Sequence, residues 1–353
     1  MRVTVNDIAT EMNIAQGTVS KALNGRPGVS EKLRKEILEM ADKMGFRPNL
    51  AARALSRKSI TLGAILLTSE PYFTYHEPVA QGIALAFSEL QDFNVKSVIK
   101  PIPLGKHEFM QAVQELLDLV VSGIIYAVTD QHMPILEEMT KGKKLPCVFI
   151  SATHSDCFTV SHNARRAGEL AGEYLGSLCP AGSRFAIFTS NISNDMLCDI
   201  PKVEGFREQL LLAGHCEPAI YNTYNDPEEA ERIMRYLGEN QFPDGIYVST
   251  ANWKPVCKYL QENPQYRPHL VITDAAEEME PFAQAHIIDA VIHQYPVEQG
   301  YQAAMRLYEH CSAAVPFPDQ PVPPLVGKYL VDPSLLLRCN YRDHIKPFAG
   351  RLL

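Results

Sequence analysis

The chain of 353 residues predicts an α/β protein, a two-lobed body of parallel sheets preceded by an all-α helix-turn-helix head. From Thr61 onward, apolar runs alternate with helical stretches, the rhythm of strands covered on both faces by helices. Before Thr61 the pattern is instead short helical stripes broken by turn residues. Charge divides at the same place: residues 1–60 hold 11 Lys or Arg against 6 Asp or Glu, so the head is +5, the whole chain is −8 and the remainder is −13. Such asymmetry fits a basic head for a polyanion; on charge alone, a basic surface helix without a partner fits as well.

Composition narrows the class. A hydrophobic content of 46% with 21% charged residues is that of a globular chain and excludes a disordered or fibrous one. Runs such as Ala64–Leu67 and Ile124–Val128 are far short of a membrane span. The N-terminus has no basic start leading into a long apolar core, so a cytoplasmic location is expected. None of the eight cysteines lies in the head, and none forms a CxxC pair or a zinc-spaced Cys–His set. No metal or cofactor is expected, and the cysteines read as small buried apolar residues in a reducing compartment.

Within residues 1–46, Thr4 and Asp7 stand three apart ahead of Ile8, Ala9 and Met12, which starts a first helix that Asn13 ends. Gln16 to Asn24 forms a second, with Val19, Ala22 and Leu23 on one face and Gln16, Gly17, Thr18, Ser20 and Lys21 on the other. A third runs from its cap Ser30 through Leu33, Ile37, Leu38 and Met44 to the stop Gly45. The tight link between the first two marks a helix-turn-helix unit. Its second helix can enter a major groove, where Gln16 suits adenine and Lys21 suits guanine O6 and N7. A three-helix bundle for protein contacts has the same pattern. Residues 47–60 follow as hinge helix and linker: Leu50–Leu55 is helix-forming yet too short to be stable alone.

The body, residues 61–340, places strands at Leu62–Leu67, Val95–Ile99, Gly123–Val128, Cys147–Ile150, Arg184–Thr189, Ala219–Tyr224, Gly245–Ser249, Leu270–Thr273 and Ile288–His293. Open α/β sheets bind ligands beyond the carboxyl ends of their strands. The residues found there are Ser69 to Tyr75, Asp130, Ser151, Asn191 to Ser193, Thr250 to Asn252, Asp274 and Gln294. Carboxylates, amides and rings suit a polyhydroxylated ligand, although each of these residue types also serves turns and helix caps. Leu335–Leu337, ahead of a tail at 341–353, continues into no heptad, so a coiled-coil tetramer is not expected and a homodimer is the simplest assembly. No GxSxG, phosphate loop or HExxH occurs, so no enzyme is expected.

Val5-Asn6-Asp7-Ile8-Ala9, Gly17 to Gly25, Val29-Ser30, Gly45-Phe46-Arg47-Pro48-Asn49 and Ala52-Arg53-Ala54-Leu55 together resemble the head of the LacI/GalR family of bacterial transcription regulators, over nearly all of residues 3–66. The body resembles that family's periplasmic-binding-protein-like sensor domain, of the ribose type, through Lys202-Val203-Glu204-Gly205-Phe206, Ile272-Thr273-Asp274 and His293 to Gly300. The resemblance implies a ligand-responsive, sequence-specific DNA-binding regulator, a repressor under a sugar or sugar-like effector. The alternative is an activator or a cytoplasmic solute-binding protein that uses the same fold with a non-sugar ligand. By the resemblance, double-stranded operator DNA meets Thr4, Gln16, Gly17, Thr18, Ser20, Lys21, Asn24, Asn49, Ala52, Arg53 and Leu55, the last as a wedge in the minor groove. The effector meets Tyr72 or Phe73, Ser151, Lys202, Asn252, Asp274 and Gln294. Four departures stand out: Ala15 where the family usually has Ser, Lys202 for Arg, Ser151-Ala152 for Asp-Arg, and His162-Asn163 for Asp-Asn.

Overall fold

The computed structural model describes the chain except for residues 1–3, 24–27, 45–58, 69–72, 130–131, 144, 152–156, 191–198, 251, 315–323 and 346–353. In the head, α1 (Val5–Glu11), α2 (Gln16–Leu23) and α3 (Glu31–Lys43) enclose a small core of Ile8, Ala9, Val19, Ala22, Ile37 and Ala41. Asn13, in the left-handed region at φ 51, ends α1. Ser30 Oγ accepts from Leu33 N at 3.3 Å and so starts α3. Leu38, expected on the apolar stripe, is 47% exposed. It follows Ile37 by one residue, about 100° round the helix, and Ile37 takes the inward place.

Lobe 1 begins with β1 (Ile60–Leu67), α4 (Phe73–Leu90), β2 (Val95–Ile102), α5 (Lys106–Asp118), β3 (Gly123–Ala127), α6 (Met133–Thr140), β4 (Cys147–Ile150) and β5 (Phe158–His162). The chain then crosses to lobe 2, built from α7 (Ala164–Leu178), β6 (Phe185–Thr189), α8 (Asp199–Leu212), β7 (Ala219–Asn222), α9 (Pro227–Glu239), β8 (Gly245–Val248), α10 (Trp253–Glu262), β9 (His269–Thr273), α11 (Glu280–Gln284) and β10 (Ala290–His293). It returns to lobe 1 for α12 (Pro296–Ala314) and β11 (Gly327–Val331), and closes in lobe 2 with β12 (Ser334–Leu337) and α13 (Arg342–Ile345). The sheets are ordered β2-β1-β3-β4-β5-β11 and β7-β6-β8-β9-β10-β12, parallel throughout except for β12 against β10. Leu335–Leu337 is therefore an edge strand of lobe 2. Packed structure also continues past residue 340, since Tyr341 is buried in the lobe 2 core and bonds to Glu280.

The lobes repeat one construction. A Cβ on Gly300 would lie 2.1 Å from the Val79 carbonyl oxygen, and one on Gly82 1.9 Å from that of Val297, so α12 and α4 cross with their backbones touching. In lobe 2, a Cβ on Gly168 would lie 1.9 Å from the Lys202 carbonyl oxygen and one on Gly205 2.3 Å from that of Arg165, so α7 and α8 cross in the same manner. The fourth strand of each sheet ends alike too: Ser151 after β4 (φ 64) and Asp274 after β9 (φ 63) are left-handed residues whose N–H groups bond to the next strand. Asn163 ties two of the three crossovers together, its N–H donating to Val331 O at 2.9 Å and its Nδ2 to Asp332 Oδ1 at 3.0 Å.

The expected cysteine burial holds for Cys179, Cys257 and Cys311, whereas Cys216 and Cys339 are exposed. Both exposed residues lie outside the regular elements, where no sheet or helix neighbour covers them.

Candidate functional site

The head presents one polar face. Gln16, Gly17 and Lys21 are exposed on α2, Thr18 and Ser20 are half-buried, and Val19 and Ala22 anchor the opposite side in the core. A Cβ on Gly17 would meet nothing within 4 Å, so packing inside the chain does not require glycine there. The amides of Thr18 and Val19 donate to the Ala15 carbonyl at 2.8 and 3.3 Å. The Ala15 methyl accepts no hydrogen bond, so the cap that Ser would supply is missing. Thr4 serves as the α1 cap: its amide donates to Asp7 Oδ2 at 2.7 Å, its hydroxyl to the same oxygen at 2.8 Å, and Asp7 N returns a bond to Thr4 Oγ1 at 3.3 Å. These bonds hold the Asp7 carboxyl below its ordinary range. Asn24, Asn49, Ala52, Arg53 and Leu55 lie outside the described residues.

In the body, the strand order reverses between β1 and β3 and again between β6 and β8, and such reversals leave a crevice at the carboxyl ends of the strands. Residues from both lobes meet there. Lys202 Nζ donates to the Ser249 carbonyl at 3.3 Å, beyond β8. Gln294 Nε2 donates to Asp274 Oδ2 at 2.6 Å, and Asn252 Nδ2 to Thr223 Oγ1 at 2.9 Å. Asp274, Gln294 and Asn252 are all buried, and Asp274 Oδ1, Gln294 Oε1 and Asn252 Oδ1 have no hydrogen-bond partner among the described residues. Burial pushes the Asp274 carboxyl up to about 6, against the opposing pull of Lys202 and Gln294. The same burial, with the Lys202 charge adding to it, holds the His162 imidazole well below its ordinary value.

Ser151 stands on the lobe 1 side and joins a hydrogen-bond network that crosses between the lobes. Tyr75 Oη donates to Gln299 Oε1 at 2.6 Å, which leaves the Ser151 hydroxyl, 2.6 Å away, to donate to Tyr75 Oη. Gln299 Nε2 in turn donates to the Gln294 carbonyl at 2.8 Å. The network therefore runs from Ser151 to Asp274, the two left-handed residues that end equivalent strands. Among the expected residues, Lys202, Asp274 and Gln294 are brought together, Asn252 lies at the neighbouring strand end and Ser151 faces them from lobe 1. Tyr72 and the Phe73 side chain lie outside the described residues. Tyr75, the last residue of the expected Ser69–Tyr75 stretch, is at the cleft; sequence reading missed Gln299, which sits in the first turn of a helix that starts at the cleft, and that position was the available signal.

Residues 66–314 match the periplasmic binding protein domain family, and residues 4–49 match the bacterial regulatory proteins of the lacI family. The chain belongs to the LacI family, with a periplasmic-binding-protein body. This LacI-family chain is 25% identical over 256 residues to catabolite control protein A of Priestia megaterium, covering 71% of this chain and 74% of that protein. It is 24% identical over 275 residues to the sucrose operon repressor of Staphylococcus xylosus, covering 75% and 79%. Its fold is that of the lac repressor dimer bound to operator and the anti-inducer ONPF, with a TM-score of 0.61, 18% identity and coverage of 95% of this chain and 98% of the other. This LacI-family protein is a ligand-responsive DNA-binding transcription regulator. Among the described residues, no helix is long and apolar enough to cross a membrane and no cluster of side chains is fit to hold a metal ion.

Proposed function

We propose that the protein is a non-enzymatic cytoplasmic repressor that acts as a homodimer on a two-fold-symmetric operator and is controlled by a sugar or sugar-like effector bound between the lobes. One observation carries this reading: buried Asp274, Gln294 and Asn252 each keep an acceptor oxygen without a partner among the described residues at the strand ends. A buried acceptor left unpaired costs about 1–3 kcal/mol, and a polyol offers a donor hydroxyl to each one. Lys202 and Ser151 complete the effector contacts from the two lobes. The names of the relatives support the effector class, one of them being a repressor of a sucrose operon. On the DNA side, Gln16, Gly17 and Lys21 read base edges, Thr18, Ser20, Thr4 and Asn24 hold the phosphate side, and Asn49, Ala52, Arg53 and Leu55 form the hinge contacts.

The test is fluorescence anisotropy with labelled DNA from the regulator's own upstream region, alone and with a panel of mono- and disaccharides. The expected result is salt-sensitive binding to one symmetric site, with an affinity that one sugar alters. A chain that binds a sugar in calorimetry but no DNA would favour the solute-binding reading instead.

A further inference from the structure

We infer that Cys147 and Cys157 are a neighbouring thiol pair at the start of β4 and β5, an oxidation site in lobe 1 that a peroxide converts to a disulfide. The geometry follows from sheet register. β4 and β5 run parallel with Val148 beside Phe158, Phe149 beside Thr159 and Ile150 beside Val160, so Cys147, the first residue of β4, and Cys157, in the bend just before β5, stand where that ladder would continue, and the two thiols are neighbours. Neighbouring strands lie about 4.8 Å apart, inside the roughly 4.4–6.8 Å between Cα atoms that a disulfide spans. Residues on one rung of a parallel pair point to the same face of the sheet. Both cysteines pack against one cluster, around Ile124, Tyr126 and Phe149, which confirms the shared face. Cys311, by contrast, packs on the cluster of the opposite face.

The surroundings set the order of events. Burial, with Cys157 and Cys311 nearby, pushes the Cys147 thiol up to about 12, and its Sγ donates to the Leu145 carbonyl at 3.3 Å, so it stays a thiol at neutral pH. In this scheme Cys157, half-buried in the bend that precedes β5, is the sulfur that reacts with the oxidant. Its sulfur attacks one oxygen of hydrogen peroxide, the O–O bond breaks, and a sulfenic acid and one water form. Cys147 then attacks that sulfur, the S–S bond forms, and the sulfenic hydroxyl leaves with the Cys147 proton as a second water. Two thiols are oxidised and one peroxide is reduced. The bond would close the segment that carries Ser151, whose amide donates to Val160 O at 3.0 Å and whose hydroxyl reaches Tyr75. Oxidation thereby acts on one end of the interlobe network.

The experiment uses the full chain with Cys216 and Cys339 replaced by Ser, treated with dilute hydrogen peroxide, then digested and mapped by mass spectrometry without reduction. The expected product is a Cys147–Cys157 linked peptide, 2 Da lighter than the two thiol peptides combined and released by dithiothreitol. Amide exchange across Ser151 should slow in the oxidised protein and recover on reduction. Adding Cys157→Ser or, separately, Cys147→Ser should abolish both changes. Sulfinic or sulfonic acid at Cys157 without the linkage, linkage to another cysteine, or unchanged exchange at Ser151 would overturn the inference. None of these readouts needs DNA or effector, so failure here is distinct from failure of the regulator reading.

Discussion

Asp274 brings a pH dependence whose sign follows from its burial. Its folded value of about 6 exceeds the ordinary 3.8, so the folded chain holds this proton more tightly than the unfolded chain does. The associated stability is fully present at low pH and falls as pH rises through that window, because above it the carboxylate is buried and short of donors. On the proposed reading, an effector hydroxyl would supply the missing donor to the ionised form. Effector affinity should therefore drop as pH falls below about 6, and Asp274→Asn should flatten the profile in calorimetry between about pH 5 and 8. An unchanged slope in that variant would remove Asp274 from the effector contacts. On the other ligand surface, Gln16→Ala should relax discrimination at one base pair per half-site by about 1–3 kcal/mol in competition binding while leaving the melting temperature unchanged. The side chain is exposed.

At the scale of elements, glycines separate fold from function. Gly300→Ala forces a methyl to within 2.1 Å of a backbone oxygen of α4, and Gly205→Ala does the same at 2.3 Å against α7. Each should cost about 1–3 kcal/mol or more, read as a lower denaturant midpoint, because overpacked backbone contacts have no rotamer to yield. Gly17→Ala is the contrasting case. Its Cβ meets only open space, so stability should rise by about 0.5–1 kcal/mol from helix propensity while operator affinity falls in anisotropy. The long periodic segments were legible in the sequence: α2 and the central strands lie within a residue or two of where the pattern puts them. The segments β5, β11, β12 and α10 were not. Phe158–His162 mixes Thr, Ser and His with its apolar residues and is a strand because β4 and β11 pair with it on both sides, a partnership that no local window contains.

At the scale of the whole molecule, the effector must bias two states. The hydrogen-bond network from Ser151 through Tyr75 and Gln299 to the Gln294 backbone carbonyl, and from the Gln294 side chain to Asp274, gives the lobes a shared polar contact on which a ligand can act. If lobe closure resets the hinge helices of a dimer, Leu55→Gly should weaken operator binding at least tenfold and leave effector affinity within twofold, as measured by anisotropy and calorimetry on one preparation. Equal operator affinity would refute the hinge account. The net charge of −8 conceals this division of labour between a +5 head and a −13 body. From sequence alone came the three-helix head, the two-lobed α/β body and the candidacy of Asn252, Asp274 and Gln294, because periodicity, capping residues and strand ends are local properties that neighbouring residues encode, whereas Lys202 came from the family resemblance. Only the tertiary structure decided that Gln299 joins the cleft and bonds to Tyr75, that Leu335–Leu337 is an edge strand and that Cys147 lies beside Cys157. Those placements depend on strand register and on crossings between lobes, where segments far apart in the chain meet through contacts that neither segment specifies by itself.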